Sequence, residues 1–508
     1  MSWLAVYPVP KGVPILNDYR VRVRIEEGLE WKELDTYMAK IDMHNVREVS
    51  VAYFDFEGKV ECEIESLTEN IDSAQIRPDS ENVEFQKEGN ILRFFLERPA
   101  NLSIEINKNR FNNLHLFAGS SAESVQIVKA IEDAQNTRMS GSESKDKEDS
   151  LMVCKFGLSE RTVCATVIKP TEKEIDFETV INKAAYCDGT RVICFAPGLH
   201  RLKGDCVSLP SNTSVILAGG AVVMGGFLID HKSNVSVMGK GVIFLGHVKR
   251  ETYLRGVDIR FSQNISVKGI TIINPAHYSI HLGSSSNIYI SDIKAFSCVG
   301  WSDGIDMMAC ENVLIEQVFL RNSDDCIAVY GRRFDYTGDT RNIVVRDSVF
   351  WADVAHPIMI GVHGDAENGG SILENISFEN IDILEHHEPQ DDYLGCMAIN
   401  AGDGNTVQNV SFKNIFVEQF ERGKLLDLQV KWNRKYNDVP GKTIKNIIFE
   451  NIFYSGDGEH TSEINGFSKD QKVEGVRFKN LVVRGMHVRK PEDGNIHIGE
   501  FTQNIQFE

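Results

Sequence analysis

One short phrase recurs along the second half of the chain. It reads Asn, then Ile or Val, one residue, an apolar residue, one residue, and often Asn, Asp or Gly before another apolar residue. It stands at Asn234-Val235, Asn264-Ile265, Asn287-Ile288, Asn312-Val313, Asn342-Ile343, Asn375-Ile376, Asn409-Val410 and Asn446-Ile447, with looser copies at Gly475-Val476 and Asn504-Ile505. The leading asparagines are 30, 23, 25, 30, 33, 34 and 37 residues apart. Side chains of an extended segment alternate between two faces, so each phrase presents an apolar set that one repeat cannot bury alone. A spacing of 23 fits one bare coil of a stacked solenoid of strands, and longer spacings carry loops. A leucine-rich repeat would need a Leu-x-x-Leu-x-Leu frame, which is absent. The reading is an all-β chain whose second part is a right-handed parallel β-helix, each leading Asn bonding its neighbour's backbone at the turn. Asn234, Asn264, Asn375 and Asn409 also begin Asn-x-Ser; they are read as ladder positions, not glycan acceptors.

The region before the repeats is different. Over the first 120 residues short runs alternate apolar and polar, as in Arg20-Val21-Arg22-Val23-Arg24-Ile25, which predicts an antiparallel β-sandwich. Only Trp31 to Lys40 has helical spacing there. Residues 136–150 hold one Met and no other large apolar side chain, and read as a solvated linker. The predicted organisation is an N-terminal β-sandwich (1–135), a linker (136–150) and a β-helix (151–508). The β-helix opens with a helix over Phe177 to Cys187, which carries Val180, Ile181, Ala184 and Ala185 on one face.

With 54 Lys plus Arg against 73 Asp plus Glu, the net charge is −19, which disfavours nucleic acid and anionic membranes as partners. No apolar stretch reaches the ~20 residues of a spanning helix. The ten cysteines are dispersed without metal-ligand spacing, and the first residues show no export signal. A cytoplasmic protein with reduced thiols is expected; homo-oligomerisation is left open.

Equal offsets from the repeat phrase stack into columns, coils lying about 4.8 Å apart. One column is polar: His247, His277, Asp303, Asp324, Asp325 and His356, with Asp391, Asp392, Arg422, Lys424, Glu459 and His460 continuing it more loosely. Its centre is Trp301-Ser302-Asp303-Gly304-Ile305-Asp306 and Ser323-Asp324-Asp325-Cys326. Carboxylates crowded on adjacent coils cannot all ionise freely, and a neutral acid beside an ionised base is what glycosidic cleavage uses. The same carboxylates could instead hold Ca²⁺ or serve turns.

At these residues the chain resembles the polygalacturonase family of glycoside hydrolases, in the clan that includes dextranases and isopullulanase. Phe195-Ala196-Pro197-Gly198, Asn274-Pro275 through Ile280-His281, and the two Asp blocks 21 residues apart carry the resemblance. It implies an inverting O-glycoside hydrolase acting on an α-linked poly- or oligosaccharide, with no covalent intermediate, metal or cofactor. Asp324 would be the general acid, Asp303 and Asp325 would hold and activate water, and His356 would tune or orient the acid. The family's Arg-x-Lys pair would fall one coil beyond the histidine, where the chain reads Met397-Ala398-Ile399-Asn400. Substrate contacts are therefore assigned to His277, Trp301, Asp306, Asn400, Arg422 and Lys424. The sandwich ahead of the β-helix resembles the dextranase and isopullulanase arrangement, so a neutral α-glucan stays open beside a pectic substrate. A polysaccharide lyase and a non-catalytic carbohydrate-binding protein are the remaining alternatives.

Overall fold

A computed structural model describes residues 2–26, 28–140, 151–158, 161–458 and 460–508. The first 119 residues form a six-stranded and a five-stranded sheet. Val21, Val23, Cys62, Ile64, Leu92 and Phe94 of one sheet meet Phe54, Phe56, Leu102, Ile104, Leu114 and Leu116 of the other in one apolar core. Alternation drives this. In Tyr19–Ile25 the valines are buried, while Arg20, Arg22 and Arg24 lie on the other face against Glu65, Glu63 and Glu61 of the neighbouring strand. Pairing is antiparallel except for Leu114–Gly119 beside Arg47–Glu57, which is parallel.

The helix expected over Trp31 to Lys40 is instead two strands, Lys32–Leu34 and Tyr37–Ile41. Tyr37, Ala39 and Ile41 are buried at a period of two, so sheet packing overrides the helical spacing. A helix that the sequence did not reveal, Ala122–Ser140, runs into the expected linker; the rest of that linker, 141–150, lies outside the described residues. Ile127 and Ile131 of this helix pack with Met152, Ala165 and Ile216.

From Leu151 onward the strands form one continuous ladder, parallel along most of its length, that winds as a parallel β-helix. The expected helix is shorter, Phe177–Lys183, capped by Asp176, and it lays Phe177 and Val180 on the first coil of the core. It stops there because Tyr186–Cys187 turns back on Thr190–Phe195 through Asp188 and Gly189, both at positive φ.

The leading asparagines are all left-handed, with φ between 55° and 58°. Each side-chain amide donates to the side-chain carbonyl of the asparagine one coil earlier, at 2.9–3.3 Å, from Asn234–Asn212 through Asn446–Asn409. The partner is thus a side chain and not the backbone expected from turn chemistry. A second ladder joins Asp347, Asn380, Asn414, Asn451 and Asn480. Inside, Phe378, Phe412, Phe449, Phe478 and Phe507 stack with ring centroids 4.7–5.4 Å apart.

The N-terminal sheets are fixed to the flank of this solenoid. Tyr37, Val49, Val51 and Phe117 pack against Phe244, Phe296, Phe319 and Trp351. Two buried arginines cross the same boundary: Arg77 pairs with Glu418 at 2.6 Å, and Arg321 pairs with Asp353 while donating to Asn113 at 2.7 Å.

Candidate active site

The strands Ile280–Gly283, Ile305–Met308, Ile327–Tyr330, Ile358–Ile360, Met397–Ala401 and Leu426–Val430 lie in parallel register as one face of the solenoid. The acidic residues sit in the turns that lead into these strands. Gly304 N donates to the Asp325 carbonyl at 2.8 Å, and Cys326 N to the His356 carbonyl at 2.8 Å, so Asp303, Asp325 and His356 occupy neighbouring coils at one level. A Cβ at Gly304 would collide with the Cys326 carbonyl, so the coil after Asp303 can close up only around glycine.

Carboxylate oxygens of Asp303, Asp324 and Asp325 lie within 4.8 Å of one another. Asp303 and Asp325 are buried, whereas Asp324 keeps partial exposure. Trp301 N donates to Asp324 Oδ2 at 2.8 Å and Asp325 N to Oδ1 at 3.2 Å. Burial first, then the adjacent Asp325, raises Asp324 to about 7 against the pull of those two amides. Asp303 is driven well above the ordinary carboxylate range by burial and by Asp306, Asp324 and Asp325.

Asp325 is held differently. His356 Nδ1 lies 2.7 Å from Oδ1, His356 N donates to the same oxygen at 3.0 Å, and the Tyr330 hydroxyl donates to Oδ2 at 3.1 Å. Burial would deprotonate His356, yet the Asp325 charge and its hydrogen bond lift the imidazole to about 9. His356 Nε2 then bonds the Tyr393 carbonyl, which orients the ring.

Trp301 is exposed and stacks on Tyr253, centroids 6.0 Å apart, with the Arg250 guanidinium 5.4 Å above the indole. His277 is buried between Tyr253, Tyr278 and Trp301; burial and then Arg255 depress it to about 3, which leaves a neutral ring. Asp306 is fully buried and neither of its oxygens has a hydrogen-bond partner. In this structure it is closed off from solvent, and its charge helps to raise Asp303. Asn400 is buried and donates to Asp427 Oδ2 at 2.9 Å. Lys424 is buried against Asp427 (3.2 Å) and Glu463 (2.9 Å), and Arg422 pairs with Asp391. These three side chains, expected at the substrate, bond protein partners here, and the Arg422–Asp391 pair remains exposed. His247 likewise faces Asp205 at 3.3 Å, and Glu459 of the expected column lies outside the described residues.

Sequence reasoning missed Tyr330, Tyr393, Tyr253 and Arg333. Arg333 has no carboxylate within ion-pair distance among the described residues; its guanidinium lies over Tyr330 and Phe334. Tyr278, Tyr330, Asp303 and Asp306 raise its pKa against burial. Tyr253, Tyr393 and Arg333 sit on segments between strands, where the repeat phrase gives no register, and Tyr330 ends the strand Ile327–Tyr330, where an apolar ring carries no signal of a catalytic contact.

A protonatable carboxyl beside a carboxylate–imidazole pair, borne on stacked coils, can chemically give and take a proton, and it marks the candidate site of a parallel β-helix protein. Residues 205–499 match the family described as glycosyl hydrolases family 28, and the chain belongs to that family. A probable polygalacturonase of Vitis vinifera is 30% identical over 98 residues, which cover 18% of this chain and 20% of that protein. A polygalacturonase of Juniperus ashei is 25% identical over 194 residues, covering 31% of this chain and 36% of the relative. The chain thus matches about a third or less of the length of these curated relatives. Among solved structures, Dex49A from Penicillium minioluteum superposes with a TM-score of 0.62 at 14% identity, covering 99% of this chain and 96% of its own. A family 28 exopolygalacturonase of Yersinia enterocolitica gives 0.53 at 12% identity, covering 88% and 96%. At such identities the likeness is one of fold.

Proposed function

We propose that this protein is an inverting O-glycoside hydrolase cleaving an α-linked poly- or oligosaccharide. The observation that carries the reading is the carboxylate trio, within which only Asp324 is both accessible and raised to about 7. Asp324 protonates the leaving glycosidic oxygen. Asp325, fixed by His356 and Tyr330, takes a proton from a water that Asp303 helps to hold. The 4.8 Å spread is tighter than the ~6.5–9.5 Å usual for a water attacking the opposite face of a sugar. Inversion is nonetheless favoured: Asp303 resists ionisation and so is no ready nucleophile, and the three donors on Asp325 leave it a lone pair to accept a proton from water while holding it rigidly in place. His356 and Arg333 already place positive charge beside the trio, so the cluster does not need Ca²⁺ to balance it, and activity is expected to survive EDTA.

The right hand of the β-helix follows from the rule for parallel crossovers. Residues 1–135 are read as the N-terminal β-sandwich and 151–508 as the catalytic β-helix. Ten free cysteines accord with a reducing, cytoplasmic setting. The substrate is a pectic or a neutral glycan. Ala398 and Asn400 in place of a basic pair favour the neutral one, and the unpaired Arg333 favours a sugar bearing a carboxylate.

The test is a reducing-end screen on polygalacturonate, rhamnogalacturonan, dextran and pullulan with an Asp324→Asn control. Loss of a positioned acid lowers kcat by about 10²–10⁴, so the control should be nearly silent while folded. NMR of the first products should show the inverted anomer. Full activity in folded Asp324→Asn, or a retained anomer, would sink the mechanism.

A further inference from the structure

On the catalytic face, outward positions alternate with core positions, and they ought to form the floor of a polysaccharide groove. They are not open. Asp306 and Met308, then Ala328 and Tyr330, Met359, Ala398 and Asp427 are all essentially without solvent contact along five successive strands. Met308, Ala328, Tyr330, Met359, Ala398 and Tyr393 belong to a second apolar cluster outside the solenoid. At about 4.8 Å per coil, the filled stretch beyond Asp325 is longer than one sugar ring.

Two chain segments provide the cover. Tyr393, ahead of Met397–Ala401, stands edge-on over His356 with centroids 4.6 Å apart. Tyr436, after Leu426–Val430, packs on Tyr393 at 5.0 Å and donates to Gln390 Oε1 at 3.0 Å. Lys435 also bonds Gln390, Lys431 bonds the Asp392 carbonyl, and Asn437 Nδ2 donates to the Val362 carbonyl at 2.6 Å. Further along, the Lys424–Asp427–Glu463 ion cluster occupies the same lane. On the other side of the acids the strand positions Asp258 and His281 are buried too, but the turns above them carry exposed rings instead of a packed cover: Trp301 is 46% and Tyr253 50% exposed.

We infer that the acids lie at the blind end of a cleft, and that the enzyme is exo-acting: it takes a glycan chain end entering past Trp301 and Tyr253 and cannot thread an internal bond. This rests on the hydrolase reading above and adds its mode of cleavage. Tyr393 links the two, since its carbonyl orients His356 while its ring closes the lane.

The experiment sizes products at low conversion from polygalacturonate, rhamnogalacturonan, dextran, pullulan and end-labelled hexamers of the preferred polymer. Viscosity is followed in parallel. One short product from the first time point, with viscosity lagging behind reducing ends, is expected. The double variant Gln390→Ala/Tyr436→Ala, away from the acids, should loosen the cover and shift products toward a mixture of lengths. A ladder of lengths from the wild-type protein overturns exo action while leaving the hydrolase reading intact. A wild-type exo pattern that the folded variant keeps unchanged overturns the role of the cover. Absence of reducing ends from every polymer overturns the hydrolase reading and this inference with it.

Discussion

Trp301 and Ala355, in the turns around the acid cluster, hold the backbone at φ +62° and +68°. Trp301 N supports Asp324, and Ala355 immediately precedes His356. A left-handed non-glycine residue costs roughly 1–2 kcal/mol, so the surrounding coils impose this geometry on residues that do not favour it. Ala355→Gly removes that strain, against an unfolded-state entropy cost of about 0.4–1 kcal/mol. A net gain of about 0.5 kcal/mol in denaturant unfolding is the expected outcome, and a loss would mean that the Ala355 methyl packs productively. The pH dependence also belongs to this scale. Asp324 is raised to about 7, so the protonated acid, and with it kcat/KM, should fall as pH rises through about 7. His356 is raised from 6.5 to about 9, so its pairing stabilises the fold fully below about 6.5, and that contribution is lost as pH rises through 9. Thermal unfolding across pH 6–10 of wild type and His356→Gln separates the two effects: only the wild type should lose stability in the upper window.

At the scale of elements, the asparagine ladder does two things at once. Its amides satisfy one another from coil to coil, and asparagine tolerates the left-handed turn better than most residues. Asn312 gives and receives a ladder bond. Asn312→Ala should therefore cost about 1–2 kcal/mol, read by chemical denaturation, whereas Asn312→Gly should cost less because the turn is kept. Indifference to both substitutions would show that the inner apolar core alone sets the turn. The repeat phrase was legible because it is local. The strands at Lys32–Leu34 and Tyr37–Ile41 were not, since their apolar residues satisfy a helical spacing too, and only the facing sheet chooses between the two periods.

For the whole molecule, the N-terminal sheets are more than an appendage. Arg321, fully buried, bonds Asp353 of the solenoid and Asn113 of the N-terminal sheets, and lies 3.8 Å over the Trp351 ring. Removing one partner of a buried ion pair costs about 3–5 kcal/mol. Arg321→Ala should lower the unfolding midpoint strongly and merge or split the transitions of the two parts. A surface-like change below about 0.5 kcal/mol would mean that the boundary is held by its apolar contacts alone.

The chain by itself determined the solenoid, the place of the acids and the coil register that joins Asp303 to Asp325, because a repeat carries its own spacing and parallel stacking converts offset into height. What lies around the acids was decided only in three dimensions. Asn400, Arg422 and Lys424 share the letters expected at a sugar site, yet their partners Asp427, Asp391 and Glu463 come from other coils or loops. Tyr393, Tyr436 and Arg333 arrive from segments of irregular length, which no period indexes. Burial, and hence the protonation of Asp324 and the closing of the lane beyond it, is a property of the surroundings that those segments create.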